Sequence, residues 1–382
     1  MWNDDDPRMD EDAACDGSGP GSTAAGVRIL VAGWVGSTNL GDELVFAGVR
    51  RLLEDRGAQV AAVSVDPAAT RRDHGVGAAE ANDPIALEAA VSSADAMVFG
   101  GGGLLQDVSS PYNLPYHLTR VALARARRTP VVGLALGVGE LRTALGRRLT
   151  RAATNGMVAV SVRDAPSQRL LAEVGGPPAT LAADAALTLE APDVEVEDRL
   201  VVSLRSWAGP GGWRPAVGRG DLTPQDSVDA LARALDAASH TTGLAVRFVA
   251  LQQDRDDAFH RRVAERMTAE ATFATPGLDG ILGEFAAARA VIAMRYHAAI
   301  GALLAGRPAV QLSYSSKVAA LAADIADGGQ GLAFAPEGIV QIPATLHRVM
   351  DHDERRPDHL ADRLAALRDR AAGNGRVLDA LG

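Results

Sequence analysis

Five basic or titratable side chains follow apolar stretches of the sequence, where strands of a parallel sheet would end. Arg295 and His297 come after "AVIAM", and Lys317 comes shortly after "PAVQLSY". Arg205 follows "LVVSL", and Arg163 follows "VAVSV". Because the strand-to-helix turns of such a sheet share its carboxyl edge, we expect these side chains to face a ligand site. Guanidinium, ammonium and imidazole groups there would bind an anion and supply a proton.

Two glycine-rich turns could add backbone donors to this site. "VAGWVGSTNLGDE" contains Asn39 and Asp42, and "VFGGGGLLQD" contains Gly101, Gly102 and Asp107. Glycine lets a backbone approach a ligand closely, and a helix N-terminus offers N–H donors to an anion. Neither turn has G-x-G-x-x-G spacing, so close packing of strand and helix explains the glycines equally well. The Asp42 carboxylate could hold a sugar hydroxyl or cap the helix, and local sequence slightly favours the cap.

Composition excludes several classes of protein. The 382 residues include 38 Lys+Arg and 48 Asp+Glu, a net charge of −10 that argues against a general nucleic-acid binder. Cys15 is the only cysteine, and the histidines form no compact metal-binding motif, so no metal is expected. The sequence has no apolar run of transmembrane length and its acidic start is unlike a signal peptide, which predicts a cytoplasmic protein.

Apolar strand segments alternate with helical ones along the chain. This order predicts an α/β protein with two Rossmann-like, doubly wound domains facing a cleft. The acidic, Pro-containing "LEAPDVEVEDR" separates the two halves, and a helix is expected from the N-cap Thr223 to about Ala238. The predicted parts are a disordered acidic tail (1–26), an N-terminal domain (27–192), a C-terminal domain (199–345) and a C-terminal helical segment (346–382), with a polar helix at about 357–372.

Several of these motifs together resemble the polysaccharide pyruvyl transferase family, in its CsaB-like branch. They are "GWVGSTNLGDE", "GGGLLQD", "LGVG", "VSVRDAPSQRLL", "ADAALTL" and "MRYHAAIGALLAGRPAVQLSYSSKV", in this order between about residues 28 and 326. The resemblance implies a fold similar to the two-domain glycosyltransferase B architecture. We assign the acceptor to the N-terminal domain and the donor to the C-terminal domain.

The resemblance also implies an activity. Family members transfer the enolpyruvyl group of phosphoenolpyruvate to a sugar as a cyclic ketal and release phosphate, so no cofactor is expected. The acceptor would be a cell-surface polysaccharide or its lipid-linked precursor, which implies a cytoplasmic enzyme with peripheral contact at the membrane surface. The R-x-H motif falls on Arg295 and His297, the loop lysine on Lys317 and the S-x-R-D arginine on Arg163. Relatives often have an acidic residue and Pro where this chain has Ser315-Ser316, a departure that concerns acceptor recognition.

The chemistry of this reaction matches the residue types. Phosphoenolpyruvate carries close to three negative charges, which Arg163, Arg295 and Lys317 could nearly neutralise. His297 is the expected general acid, because its ordinary pKa of about 6.5 lies near operating pH. Asp42 and Asp107 are candidates for the base that activates the acceptor hydroxyl.

Two other functions stay open on the sequence alone. A glycosyltransferase that uses a nucleotide sugar would share the architecture and would also need a basic pocket. An inactive protein that binds a glycan or an anion would share the fold. The combined S-x-R-D, R-x-H and lysine set favours pyruvyl transfer over both.

Removal of residues 1–26 is expected to leave donor binding, activity and melting temperature nearly unchanged. The tail holds seven acidic residues and few large apolar ones, too few to offset the entropy of ordering. Steady-state kinetics of the truncated protein at low and high salt test this. A salt-dependent fall in KM for phosphoenolpyruvate on truncation would instead show that the tail covers the basic pocket.

Overall fold

The computed structural model describes residues 26–108, 110, 112–205, 223–314, 316–325, 331–356 and 358–381. The chain forms two parallel sheets covered by helices, one in each half. The predicted class, two Rossmann-like α/β domains, is confirmed. Residues 1–25 of the expected tail lie outside the described residues.

The N-terminal domain is built on a seven-stranded parallel sheet. Its strands are β1 (Arg28–Val35), β2 (Gln59–Ser64), β3 (Gly77–Glu80), β4 (Ala96–Leu105), β5 (Val131–Val138), β6 (Ala159–Val162) and β7 (Thr180–Leu181). Its helices are α1 (Leu40–Glu54), α2 (Pro67–His74), α3 (Pro84–Ser93), α4 (Asn113–Ala126), α5 (Ala144–Thr154) and α6 (Ala165–Glu173), followed by a 3-10 helix at Ala185–Thr188. The strand order is β3-β2-β1-β4-β5-β6-β7, so the order reverses between β1 and β4, where doubly wound sheets open a crevice at their carboxyl edge.

The C-terminal domain repeats this plan with six parallel strands. They are β8 (Arg199–Ser203), β9 (Ala245–Val249), β10 (Ala271–Ala274), β11 (Ala290–Ala293), β12 (Ala309–Ser313) and β13 (Gly331–Ala333). The helices are α7 (Pro224–Thr242), α8 (Gln253–Ala264), α9 (Leu278–Ala286), α10 (Tyr296–Leu304), α11 (Ser316–Ile325), α12 (Pro336–Val340), α13 (Ile342–Arg355) and α14 (His359–Leu378), and a 3-10 helix covers Asp379–Leu381. The order β10-β9-β8-β11-β12-β13 places its reversal between β8 and β11.

Two helices extend beyond their predicted ends. α7 starts at the expected cap, where Thr223 forms a capping box with Asp226, but continues to Thr242 because the left-handed Gly243 ends it. α14 passes through Gly373 and Gly375, which the sequence suggests as its end. A side chain at Gly375 would meet the Arg56 guanidinium at 2.1 Å, so the glycine allows the helix to lie close to the N-terminal domain.

The apolar core is continuous between the domains. One cluster of buried residues includes Leu44 and Phe46 of α1 together with Leu251, Phe285 and Ile300 of the C-terminal half. The N-terminal end of α1 therefore lies against α9 and α10 of the other domain.

The chain returns to the N-terminal domain at its end, where α14 packs against β5, β6 and β7. Asn374 is fully buried there; it accepts a hydrogen bond from Ser161 Oγ at 2.7 Å and donates one to the Ala183 carbonyl at 3.1 Å. Arg368 donates to the carbonyls of Leu187 and Leu189. These contacts tie the last helix to the segment around the 3-10 helix Ala185–Thr188.

No helix within the described ranges has the length and apolarity needed to span a bilayer.

Asn374→Ala is expected to lower the free energy of unfolding by about 2–4 kcal/mol, because it removes two hydrogen bonds and leaves buried partners unsatisfied. Urea unfolding measures the change. Asn155→Ala is the matched control, since the exposed Asn155 also donates to a carbonyl, that of Gly175 at 3.1 Å, and its loss should cost at most about 1 kcal/mol. Equal effects of the two substitutions would contradict a role for Asn374 in holding α14.

Candidate active site

A pocket opens between the carboxyl edges of the two sheets. Both domains contribute to its lining, and most of the contributing side chains are polar or charged. The lining residues are Asn39, Asp42, Gly103, Arg163, Arg205, Leu251, Arg295, Tyr296, His297 and Tyr314. Six of the predicted site residues therefore meet here, from strand ends that are far apart in sequence.

The turn before α1 joins the two domains at the rim of the pocket. Asn39 caps α1 through its side-chain oxygen, which accepts from Gly41 N. Its neighbour Leu40 donates its N–H to the Leu251 carbonyl at 2.8 Å, across the domain boundary. A side chain on Gly41 would lie 2.3 Å from His297 Nδ1, so only glycine leaves room for the imidazole at this point.

Asp42 lies in the first turn of α1 rather than at its cap. The local expectation that Asp42 caps the helix is wrong, because Asn39 fills that position. The Asn39 amide donates to the Asp42 carboxylate at 2.5 Å and holds it toward the pocket. The neighbouring Glu43 is buried. Its carboxylate accepts a hydrogen bond from Ser37 N and lies 2.9 Å from His74 Nε2, and these contacts hold the turn before α1 in place.

Arg163, Asp184 and His297 form a buried chain of charged and titratable groups across the domain boundary. Arg163 Nη1 donates to Asp184 at 2.9 Å, and His297 Nε2 lies 3.7 Å from the same carboxylate oxygen. At that second distance Nε2 makes no hydrogen bond to a described residue. Burial alone would raise the pKa of Asp184, but contact with His297 and the Arg163 charge hold it well below its ordinary value.

The Arg163 guanidinium is enclosed as well as paired. It stands over the Tyr296 ring at 4.4 Å, and a side chain on Gly137 would lie 2.9 Å from Nη2. Burial lowers the pKa of Arg163, yet Tyr296 and Asp184 outweigh it and keep that pKa above its ordinary value. Burial also raises the pKa of the Tyr296 hydroxyl, so this ring stays neutral.

Arg295 is held by a second buried carboxylate. Both Nε and Nη2 donate to Asp256 of α8, which is fully buried, and Nη2 also contacts the Gln252 side chain at 3.3 Å. Asp256 further accepts from Gln252 N at 2.9 Å. Because Gln252 forms an isolated antiparallel bridge with Asn39, the support of Arg295 reaches the N-terminal domain.

Arg205 enters the pocket from the end of β8. Its Nη1 donates to the Tyr314 hydroxyl at 2.9 Å. Burial lowers the pKa of Arg205, but Tyr314 and nearby carboxylates raise it above its ordinary value. The residue before it, Leu204, donates its N–H to His260 Nε2 at 3.0 Å, and burial lowers the pKa of that imidazole to about 4, which keeps it neutral.

Three predicted site residues lie outside the pocket lining. Gly101 and Gly102 are buried with positive φ, and a side chain on Gly101 would meet Val45 of α1 at 2.6 Å, so close strand–helix packing accounts for it. The neighbouring Gly103 lines the pocket instead. The Asp107 carboxylate accepts from the Thr143 hydroxyl, Arg142 N and Thr143 N, and these bonds outweigh burial and lower its pKa. Asp107 therefore holds the turn before α5.

Lys317 lies in the first turn of α11, directly after β12, but its side chain is outside the part of the chain that the structure describes. Its contact with a ligand stays a prediction. Among the described residues, no group of three or more His, Cys, Asp or Glu side chains is placed to hold a metal ion.

Sequence reasoning missed the residues that support the basic groups. These are Asp184, Asp256, Tyr296, Tyr314, Gly41 and Gly137. Asp184 lies in the motif "ADAALTL" and Gly137 in "LGVG". Both motifs contribute to the family resemblance, but neither indicates what these two residues do. Asp256 lies in the charged run "QQDRDD", where composition indicates a solvated helix and only the tertiary fold shows burial.

The two domains and their interdomain pocket define a Rossmann-like α/β protein of glycosyltransferase B type. The family model for polysaccharide pyruvyl transferase matches residues 39–316, and the chain belongs to this family. No curated protein matches the sequence significantly.

Solved structures similar to this chain include several UDP-N-acetylglucosamine 2-epimerases. A protein assigned to this activity from Listeria monocytogenes has a TM-score of 0.60 at 10% identity, over 94% of this chain and 96% of the other. The enzyme from Neisseria meningitidis has a TM-score of 0.57 at 10% identity, over 93% and 99% of the two chains. That from Methanocaldococcus jannaschii has a TM-score of 0.56 at 9% identity, over 84% and 92%. At this identity the likeness extends to the fold alone.

Asp184→Asn is expected to destabilise the protein by about 3–5 kcal/mol near neutral pH, because Arg163 loses its nearest carboxylate while remaining buried. The depressed pKa of Asp184 means that its contribution is complete above about pH 4 and declines as the pH falls further. The stability gap between wild type and variant should therefore narrow in acid.

Urea unfolding between about pH 7 and pH 3 measures this gap. Asp95→Asn is the control, since Asp95 pairs with Arg28 at 3.0 Å on the surface, and its loss should cost at most about 1 kcal/mol. A gap that keeps its size across this pH range would contradict the assigned charge state of Asp184.

Proposed function

We propose that this protein transfers the enolpyruvyl group of phosphoenolpyruvate to a sugar, forming a cyclic ketal and releasing phosphate. The observation that carries the proposal is the convergence of Arg163, Arg205, Arg295 and His297 on one interdomain pocket in a member of the polysaccharide pyruvyl transferase family. The acceptor would be a cell-surface polysaccharide or its lipid-linked precursor, and contact with the membrane surface remains an expectation.

The arrangement of charge suits a small, multiply charged anion. Three guanidinium groups line the pocket, and Asp42 is the one carboxylate among its described lining residues. The carboxylates of Asp184 and Asp256 do not line the pocket, so they orient the arginines without occupying the space for a ligand. Arg295 Nη1 makes no hydrogen bond to a described residue and can donate to a bound carboxylate or phosphate.

Before the donor binds, Asp184 holds Arg163, Asp256 holds Arg295 and the Tyr314 hydroxyl holds Arg205. Because the side-chain ordering is already complete, the donor would not have to offset that entropy. The backing carboxylates also limit how much net positive charge the pocket carries. We therefore expect recognition of phosphoenolpyruvate to depend on the direction of the N–H donors more than on charge neutralisation alone. Lys317, at the first turn of α11, would add a further cation.

His297 is the group we assign to protonate the donor. Proton transfer from the imidazolium to the methylene carbon makes a methyl group and leaves C2 electron-deficient. One sugar hydroxyl then adds to C2 and loses its proton, and the C2–O bond to phosphate breaks. A second hydroxyl of the same sugar bonds to C2 and closes the ketal ring, and its proton passes to the released phosphate. Asp184, 3.7 Å from Nε2, pairs with the imidazolium, and glycine at 41 leaves room for the ring.

Asp42 is the group we assign as base for the acceptor hydroxyl. It lies on the N-terminal side of the pocket, and the Asn39 amide holds it in place. Asp107 is less suited, since its carboxylate is bonded to the backbone of residues 142 and 143.

A nucleotide-sugar reaction is the alternative to test beside this one. The solved Neisseria meningitidis structure contains UDP-GlcNAc. Incubation of this protein with a glycan panel and either phosphoenolpyruvate or UDP-sugars compares the two. Phosphate release with a pyruvate-sized mass gain supports the proposal, and sugar transfer from UDP-sugars alone overturns it. Binding of either donor without turnover would indicate the inactive anion-binding protein.

His297→Gln is expected to lower the rate of pyruvyl transfer by about 10²–10⁴, because the amide cannot supply a proton to carbon. Affinity for phosphoenolpyruvate, measured by calorimetry, should fall much less than the rate. His347→Gln is the control for loss of a histidine in α13, away from the pocket lining. Near-normal turnover by His297→Gln would remove this residue from the chemistry.

A further inference from the structure

An aromatic side chain is exposed at the carboxyl edge of the N-terminal sheet, and the reaction proposed above gives it no role. Trp34 is the last residue but one of β1 and is 38% exposed. Its neighbours on the same face of the strand, Leu30 and Ala32, are fully buried beneath α4. The strand thus ends with a large ring that extends from the core into solvent.

Two further rings fix the orientation of Trp34. The centroids of the Tyr116 and His117 rings of α4 both lie 5.7 Å from that of Trp34, at interplanar angles of 69° and 73°. The Tyr116 and His117 rings also meet each other edge to face, at 5.1 Å and 82°. Such edge-to-face contacts are favourable for aromatic rings. The three rings, which we term the Trp34 cluster, therefore hold one another in place, with Trp34 exposed, Tyr116 half-buried and His117 buried.

The rings of the Trp34 cluster are uncharged, and the buried His117 supports the other two. His117 is 3% exposed, and burial, assisted by the Arg120 charge, lowers its pKa to about 3, so its imidazole is neutral at physiological pH. The Arg120 guanidinium is itself buried beneath the Tyr116 ring, at 3.8 Å from the centroid. A surface of this kind suits a neutral ligand with an apolar face better than an anion.

The Trp34 cluster adjoins the pocket along two neighbouring strands. Five residues after Trp34, the chain reaches Asn39 at the pocket rim. On the adjacent strand β4, the exposed Gly103 lines the pocket. Just after it, the carbonyls of Leu104 and Gln106 accept hydrogen bonds from the Asn113 amide at 2.8 and 2.9 Å. Asn113 opens α4, the helix that carries the other two rings. The cluster lies on the face of the sheet that α4 covers, whereas α1 with Asp42 covers the other face, so a ligand on the cluster would approach Gly103 over the carboxyl edge of the sheet.

A pyranose ring matches this surface chemically. Its axial C–H groups form an apolar face that stacks on an aromatic ring, and its equatorial hydroxyls point outward from the ring edge. Ketal formation needs two hydroxyls of one sugar to reach the same carbon, so a sugar stacked by its face could direct one edge into the pocket.

We propose that Trp34, oriented by Tyr116 and His117, is the stacking platform for the pyranose ring of the acceptor. The identity of this sugar as an acceptor rests on the proposed function, whereas its binding does not require turnover. Trp34 would then determine affinity for the acceptor without affecting affinity for the donor.

The test measures sugar binding in the absence of a donor. Methyl β-D-glucopyranoside and methyl β-D-galactopyranoside serve as probes in saturation-transfer NMR titrations of the full chain. Trp34→Leu, which keeps apolar bulk but removes the stacking surface, should weaken binding on the order of tenfold. Trp34→Phe should retain most of the affinity, and phosphoenolpyruvate affinity by calorimetry should be unchanged in both variants. Val158→Ala, an exposed apolar residue beside the start of β6 at the opposite edge, is the matched control.

Several outcomes would overturn the platform. They are wild-type affinity for both glycosides in Trp34→Leu, equal losses in the Leu and Phe variants, or no glycoside binding by the wild-type protein. A parallel titration with UDP distinguishes a sugar from a nucleobase, and loss of UDP binding alone in Trp34→Leu would also overturn the proposal. If glycoside binding depends on Trp34 but phosphoenolpyruvate yields no product, the platform stands and the pyruvyl transfer reaction falls.

Discussion

The arrangement of the candidate site depends on one buried carboxylate, that of Asp184. It binds Arg163 of its own domain at 2.9 Å and faces His297 of the other domain at 3.7 Å. An ionised carboxylate in the interior is costly unless cations and hydrogen bonds compensate it, and here the Arg163 guanidinium and the Ala186 N–H do so. Displacing either domain would move His297 away from this buried carboxylate. The relative placement of the two domains and the charge state of the site are therefore parts of the same interaction.

Arg295 follows the same principle with a different carboxylate. Asp256 takes two of its N–H groups, and Gln252 connects this pair to Asn39 at the cap of α1. Asn39 in turn holds Asp42. The proposed donor-binding arginine and the proposed acceptor base are thus linked by short polar contacts across the cleft. A change in the turn before α1 should consequently alter donor binding as well as acceptor binding.

The sequence predicted which basic residues meet, because parallel sheets place all strand exits at one edge. Arg163, Arg205, Arg295 and His297 were found by this rule alone. It could not find Asp184 or Asp256, since a carboxylate that pairs from a 3-10 helix or a charged helix has no periodic signal. The short strands β3, β7, β10 and β13 likewise carry no apolar run that would predict them: they hold two to four residues, and pairing with a neighbour defines them. The glycines were noticed, but only the fold shows that Gly41 makes room for His297, whereas Gly101 serves packing against α1.

The glycines and the arginines together explain how an acidic chain could build the proposed anion site. The net charge of −10 is that of the whole chain, whereas three arginines and one carboxylate line the pocket. Glycine at 41 and 137 lets His297 and Arg163 lie close against the backbone. Buried carboxylates then set the direction of Arg163 and Arg295, and the Tyr314 hydroxyl sets that of Arg205. Direction is what would distinguish a carboxylate and a phosphate on one small molecule from bulk anions. Since these contacts come from both domains, the proposed selectivity for the donor would require the two halves of the chain to be packed together.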